Sequence, residues 1–267
     1  MREPVALFAS VVLAVVFAVA LLAPWIAPHD PFEIDLGNAL QGPGGQYLLG
    51  TDEQGRDTLS RMMHGLRLTL SLGLSSVAMG SVVGVLVGIG AAYFRRLDGL
   101  LMRMIDVLLS FPEILVALAL AAVVGPGFLA TVIAVSIATV PGTARVARSA
   151  ALSVMGMNYM EAGRSIGFGH GHLIFRYLLP NCFSAILVIV TLRVGQVILI
   201  VSALSFLGLG AQPPTPELGK MASQGLQFFF IAPYLAILPS TLIMLLVLAL
   251  NLAGDTLRDA LDPRLRG

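Results

Sequence analysis

The sequence predicts an all-α, polytopic membrane protein with six transmembrane helices. Three observations carry that expectation. Hydrophobic side chains make up 57% of the 267 residues and charged ones 12%, with a mean hydropathy of +0.90; a soluble domain needs about twice that charge, so lipid is the solvent for most of the chain. Six apolar stretches, at 5–27, 67–94, 104–124, 127–147, 183–208 and 231–253, each suffice for the roughly 30 Å of hydrocarbon that about 20 helical residues cross. The arginines, finally, are asymmetric between the connecting loops.

The first stretch is read as a retained span, because the apolar run from Val5 to Ala23 is long for a signal peptide and ends in "APWIAP" without a small-residue cleavage pattern. The second carries Ser76, Gly80, Gly84, Gly88 and Ala92 at a spacing of four, a flat ridge where another helix approaches closely. Pro112, Pro141 and Pro239 are expected to bend or end helices where neighbours re-satisfy the freed backbone. With the N-terminus inside, Arg2, Arg95, Arg96, Arg103, Arg145, Arg148, Arg164, Arg176, Arg258, Arg264 and Arg266 are cytoplasmic, against Arg56, Arg61, Arg67 and Lys220 outside. Arg193, within the fifth stretch, completes the sixteen cations. Both termini are then cytoplasmic, residues 28–66 form an extracytoplasmic loop and residues 150–180 a cytoplasmic one.

Several chemistries drop out. Fifteen acidic and sixteen basic side chains nearly cancel, so there is no basic field for nucleic acid. The only lysine, Lys220, precedes Met221, so no phosphate-binding G-x-x-x-x-G-K-[ST] loop exists, and H-E-x-x-H does not occur. No catalytic residue and no cofactor is expected. Cys182 is alone and reads as a small buried hydrophobe.

The cytoplasmic segment "EAGRSIGFGHGHLIFRYLLPN" (161–181) stands apart from the apolar sequence around it. A short helix from about Asn158 to Ile166, a turn at "GFGHG" and a second short helix from His172 to Leu179, ended by Pro180, would make a rigid knob with apolar edges and basic corners. Its spacing resembles the E-A-A-x3-G-x9-I-x-L-P loop of bacterial ABC importer permeases, with Gly163 where alanine is usual and Tyr177 where isoleucine is usual. The resemblance implies a type I permease fold in which Glu161, Ala162, Gly163, Gly167, Leu179 and Pro180 form the coupling element that docks on a separate ATPase. "LGTDEQGRDTLSRMMHGLRLTL" (49–70), "SFLGLGAQPPTPELG" (205–219) and "NLAGDTLRDALDPRLRG" (251–267) are similar to the C-type permeases of dipeptide, oligopeptide, glutathione and nickel importers. The resemblance therefore implies an inner-membrane protein, a heterodimer with a second permease, two ATP-binding subunits and an extracytoplasmic substrate-binding protein, with short peptides as substrate and nickel as the alternative.

The remaining polar residues leave choices open. Asp30, Glu33, Asp35, Asp52, Glu53 and Asp57 in the outer loop lack the ligand order of an EF-hand, and the loop is either a docking surface or a self-packed cap. His170 and His172 have no third zinc ligand nearby and are read as solvated. Arg103 reaches Asp106 at i+3. Deeper in the bilayer, Arg193, Gln196 and Glu113 are candidates for the translocation path, because a charge at that depth must face the bundle or water; pairing of Arg193 with Glu113 is the competing reading. Paired intramembrane charges also suit an ion-coupled secondary transporter, but no repeat between halves supports one.

Overall fold

The computed structural model describes residues 2–261. Its helices are α1 (Arg2–Ile26), α2 (Thr58–Tyr93), α3 (Arg95–Leu109), α4 (Glu113–Val124), α5 (Phe128–Met155), α6 (Asn158–Ser165), α7 (His170–His172), α8 (Leu179–Phe206), α9 (Leu218–Gly225) and α10 (Tyr234–Leu261). Among the described residues five helical segments are long and apolar enough to span a membrane, and the broken pair α3–α4 makes a sixth if it counts as one span.

That pair departs from the sequence reading. The stretch 104–124 is two helices meeting at 93°, broken at Ser110–Pro112. Pro112 excludes an α-helical residue before it and lacks the N–H that would continue α3, so the chain restarts with Glu113 in the first turn of α4. With 12 residues, α4 is only about 18 Å long. By contrast α2 has 36 residues, about 54 Å, and begins nine residues before the expected span. Asp57 caps it, its Oδ2 accepting from the Ser60 N–H at 2.9 Å.

The seam expected on α2 is present and packs on α5. A Cβ on Gly80 would overlap Thr139 Oγ1, one on Gly84 would lie 2.8 Å from Thr143 Cβ, and one on Gly88 would overlap the Ala144 carbonyl. Ser136 Oγ donates to the Ser76 carbonyl across the seam at 3.1 Å. Around this axis α8 and α10 pack together, α4 leans on α5 and α8, and α1 flanks α2 and α10. Pro141 and Pro239 lie inside α5 and α10, as does Pro24 in α1.

At one end of the bundle, residues 27–57 fold as a cap. Asp52 Oδ1 accepts the Gln54 and Arg56 N–H groups, and Oδ2 meets Arg56 Nε at 2.7 Å and Arg61 Nε at 3.2 Å. The Tyr234 hydroxyl donates to the carbonyls of Gln41 and Thr51, tying the cap to α10. Against the cap lies α9, whose N-cap is the fully buried Glu217. One carboxylate oxygen accepts from Thr69 Oγ1 at 2.8 Å and the other from the Lys220 N–H at 2.8 Å. Burial pushes the Glu217 carboxyl up, against the pull of those donors.

Candidate functional site

The knob forms at the opposite end of the bundle. Helix α6 closes on a left-handed glycine: Gly167 has φ +81°, its N–H donates to the Arg164 carbonyl at 3.0 Å, and the Phe168 N–H reaches back to the Gly163 carbonyl at 3.0 Å. This is a Schellman closure, which satisfies two orphan carbonyls of α6 and which a non-glycine residue adopts only under strain. A side chain at 167 would meet no atom of this chain, so the constraint is purely in the backbone.

The second half of the knob corrects the sequence reading. Pro180 does not end a short helix. From α7 the chain runs through a wide π turn, Leu173–Leu178, directly into α8, where Pro180 occupies the first turn. The Leu179 N–H bonds to the Ile174 carbonyl five residues back, and this wider winding accommodates a residue with no N–H and a bulky ring. The knob is thus a rigid extension of α8.

Its interior is packed. Met160, Leu173, Leu178 and Cys182 are buried against Ile89 and Ala92 of α2 and Ala147, Ala151 and Val154 of α5. Gly163 lets Leu173 and Phe168 close over α6, since a Cβ there would lie 2.9 Å from Leu173 Cδ2. Tyr177 stacks with Phe168 and Tyr159, and His172 joins that cluster. Both histidines are exposed, in line with the sequence reading, and His170 Nδ1 lies 2.9 Å from the Tyr93 hydroxyl at the end of α2. Outward, Glu161, Ala162, Gly167 and Pro180 are exposed and Leu179 is half-buried, while Ile166 and Phe175 are each 70% exposed. Apolar side chains that open make a contact surface.

Two ion pairs fasten α3 to α5 beside the knob. Arg148 holds Asp98 bidentately at 2.6 Å through both bonds, and Arg145 holds Asp106. The expected partner of Asp106, Arg103, is displaced: Arg145 on the neighbouring helix presents its guanidinium to the carboxylate instead.

Arg193, Gln196 and Glu113 do come together. Arg193 Nη1 lies 3.1 and 3.4 Å from the two Glu113 oxygens, and Gln196 Nε2 donates to Glu113 Oε2 at 3.1 Å. The side chains of Arg193 and Glu113 are 16% and 21% exposed. Gly142 of α5 completes the arrangement, for a Cβ at that position would overlap Arg193 Nη2. Three helices therefore meet on one guanidinium, and Glu113 stands at the start of α4, where the positive helix end also favours its charge. Sequence reasoning missed Gly142, although its place after Pro141 marked a local irregularity. Asp98–Arg148 left no sequence signal, being 50 residues apart.

Residues 80–267 match the family described as the binding-protein-dependent transport system inner membrane component, and residues 1–43 match the N-terminal transmembrane domain of oligopeptide transport permease C. The chain belongs to the first of these families. Within it, the di/tripeptide transport system permease protein DppC of Pseudomonas aeruginosa is 44% identical over 261 residues, covering 95% of this chain and 86% of the relative. The glutathione transport system permease protein GsiD of Pectobacterium atrosepticum is 41% identical over 270 residues, covering 100% and 89%. An inward-facing structure of the MetNI methionine ABC transporter superposes with a TM-score of 0.61 at 20% identity, over 75% of this chain and 96% of that one, which shows a shared fold. As a family member the chain is the permease component of an ABC importer, and its work is transport.

Proposed function

We propose that the chain is one half of the translocation path of an ATP-driven importer of short peptides, paired with a second, different permease. ATP hydrolysis belongs to two partner subunits that dock on the knob, and an extracytoplasmic binding protein delivers the substrate at the capped end. The reading rests on likeness over nearly the whole chain to the di/tripeptide and glutathione permeases. The knob supports the coupling role of Glu161, Ala162, Gly163, Gly167, Leu179 and Pro180, with an outer surface open for a partner and an interior continuous with α2, α5 and α8. A push on such a body moves three long helices together rather than bending a loop.

Orientation follows from charge. Arg95, Arg96, Arg103, Arg145, Arg148, Arg164 and Arg176 lie on the knob and the helix ends beside it, while Arg56, Arg61 and Lys220 belong to the capped end. The knob is cytoplasmic by this rule, and so are both termini; Arg264 and Arg266 fall outside the described residues. The Arg193–Glu113–Gln196 cluster, partly open in the single chain, faces the path or its edge.

Proteoliposomes holding the complete importer and its binding protein test the reading. ATP-dependent accumulation of labelled dialanine or glutathione supports it. Accumulation of Ni²⁺ alone, or peptide uptake indifferent to ATP, overturns it.

A further inference from the structure

Two of the sequence segments that mark the family, 49–70 and 205–219, are far apart in the chain, and the fold brings residues of both to line one cavity of about 320 Å³ at the capped end. The first segment contributes Gln54, Arg56 and Arg61, the second the Pro213–Thr215 turn and Glu217, and α9 adds Lys220 and Gln224 just beyond it.

The charges are unequally committed. Arg56 is held by Asp52 and Glu53, and Arg61 by Asp52 and the Pro31 carbonyl, with both arginine side chains only 4% exposed. Their guanidinium groups are therefore fixed in place, and an Arg fork offers more donors than those partners use. Glu217 spends both oxygens on Thr69 and on its own helix. Lys220, the only lysine in the chain, has no ion-pair partner among the described residues. One cation on the walls is thus not held by a carboxylate among the described residues. That balance suits a monoanionic carboxylate better than a phosphate, which carries up to two charges. The volume is in the range of small-molecule sites, about 300–1,000 Å³, far more than the tip of one acidic side chain fills. The Gln54 and Gln224 amides supply both donors and acceptors of the kind a peptide bond needs.

We propose that this cavity is an entry site for the free α-carboxylate of a short peptide, with Lys220 as its counter-charge and Arg61 as a second donor; the assignment deepens the peptide-importer reading and rests on it. Lys220 is a specificity residue here. Its ammonium separates free peptides from their amides before they reach the helices.

The test uses the assembled permease–ATPase complex in nanodiscs without the binding protein, and compares dialanine with dialanine amide by equilibrium binding. The wild-type complex should bind the free acid roughly tenfold or more tightly than the amide, the difference a hydrogen bond to a charged partner gives. Lys220→Gln should erase that preference at unchanged complex yield, and Lys220→Arg should keep it. Equal binding of acid and amide by the wild type overturns the proposal, as does a preference that survives Lys220→Gln. An intact preference with a Lys220→Gln defect in ATPase stimulation by the binding protein would assign the lysine to protein docking, which also overturns it. Failure of the parent reading is seen separately, as absence of ATP-dependent peptide uptake by wild-type proteoliposomes.

Discussion

Arg193 is the residue whose removal the structure translates most directly into a measurable loss. Its Nη1 lies 3.1 Å from Glu113 Oε1, and at an effective dielectric of 20 such a separation is worth about 5 kcal/mol of attraction. Desolvation takes back much of that attraction, and the net value of the pair is small. Breaking the pair from one side is different, because the Glu113 charge stays where it is with only Gln196 left to it. That costs about 3–5 kcal/mol at a fully buried site. Since both side chains retain some exposure, 16% and 21%, we expect about 2–3 kcal/mol for Arg193→Gln. At roughly 2–4 °C per kcal/mol for a chain of this size, the thermal midpoint of the detergent-extracted complex should drop by about 5–10 °C.

Two companions isolate the cause. Glu113→Gln added to Arg193→Gln should recover most of the loss, because two amides in contact leave no buried charge unpaired. Gly142→Ala alone should resemble Arg193→Gln, since the methyl group would occupy the place of Nη2, and it should become nearly harmless once Arg193 is shortened. Thermal midpoints from size-exclusion chromatography after heating, measured with peptide uptake, complete the cycle. Additive losses from Arg193→Gln and Glu113→Gln would refute the pairing argument. A fully stable Arg193→Gln complex with uptake of carboxylate-bearing peptides abolished would make the arginine a substrate contact instead.

Gly167→Val forces a β-branched residue to φ +81° at a strain of about 1–3 kcal/mol, so membrane insertion should persist while uptake falls sharply; wild-type uptake at normal expression would remove the knob from the coupling step. Glu161→Lys should lower ATPase recovery in pull-downs more than Glu161→Ala does, and equal recovery would show that charge there is irrelevant to docking. Gly88→Val drives a side chain into the Ala144 carbonyl on the α2–α5 seam and should cost at least about 1–3 kcal/mol in thermal midpoint, an effect that Gly90→Ala, with open space around it, should not show. For Glu217 the folded carboxyl sits above its ordinary value of 4.5, so the folded chain holds the proton more tightly; its contribution to stability is present below that value and is lost as the pH rises through the raised one. Glu217→Gln should flatten that slope relative to wild type, and parallel pH profiles of the two thermal midpoints would contradict the assignment.

How far the sequence could be read follows from the range of the interactions involved. The helical content, the α2 seam, and the turn at Gly167 were legible because each is written locally, in apolar run length, in spacing of four, or in one glycine after a helix. The break at Pro112 was half legible: the proline announced a bend, but a count of apolar residues could not tell a kinked span from two helices at 93°. Partner choice was the least legible. Asp106 had Arg103 three residues away and takes Arg145 instead, and Lys220, read only as an outer cation, lines one cavity with Arg56 and Arg61. Arg193 shows why. Its depth in an apolar stretch announced that a partner must exist, since a lone guanidinium there costs at least about 2.5 kcal/mol, but Glu113 lies 80 residues away and became reachable only because the chain breaks and restarts beside it. The break and the pair are one device: Pro112 frees the start of α4, Glu113 brings a charge to that start, and Arg193 fastens it to α8 over the gap left by Gly142. A change that straightened α3 into α4 would therefore be expected to release Arg193 as surely as removing Glu113 does.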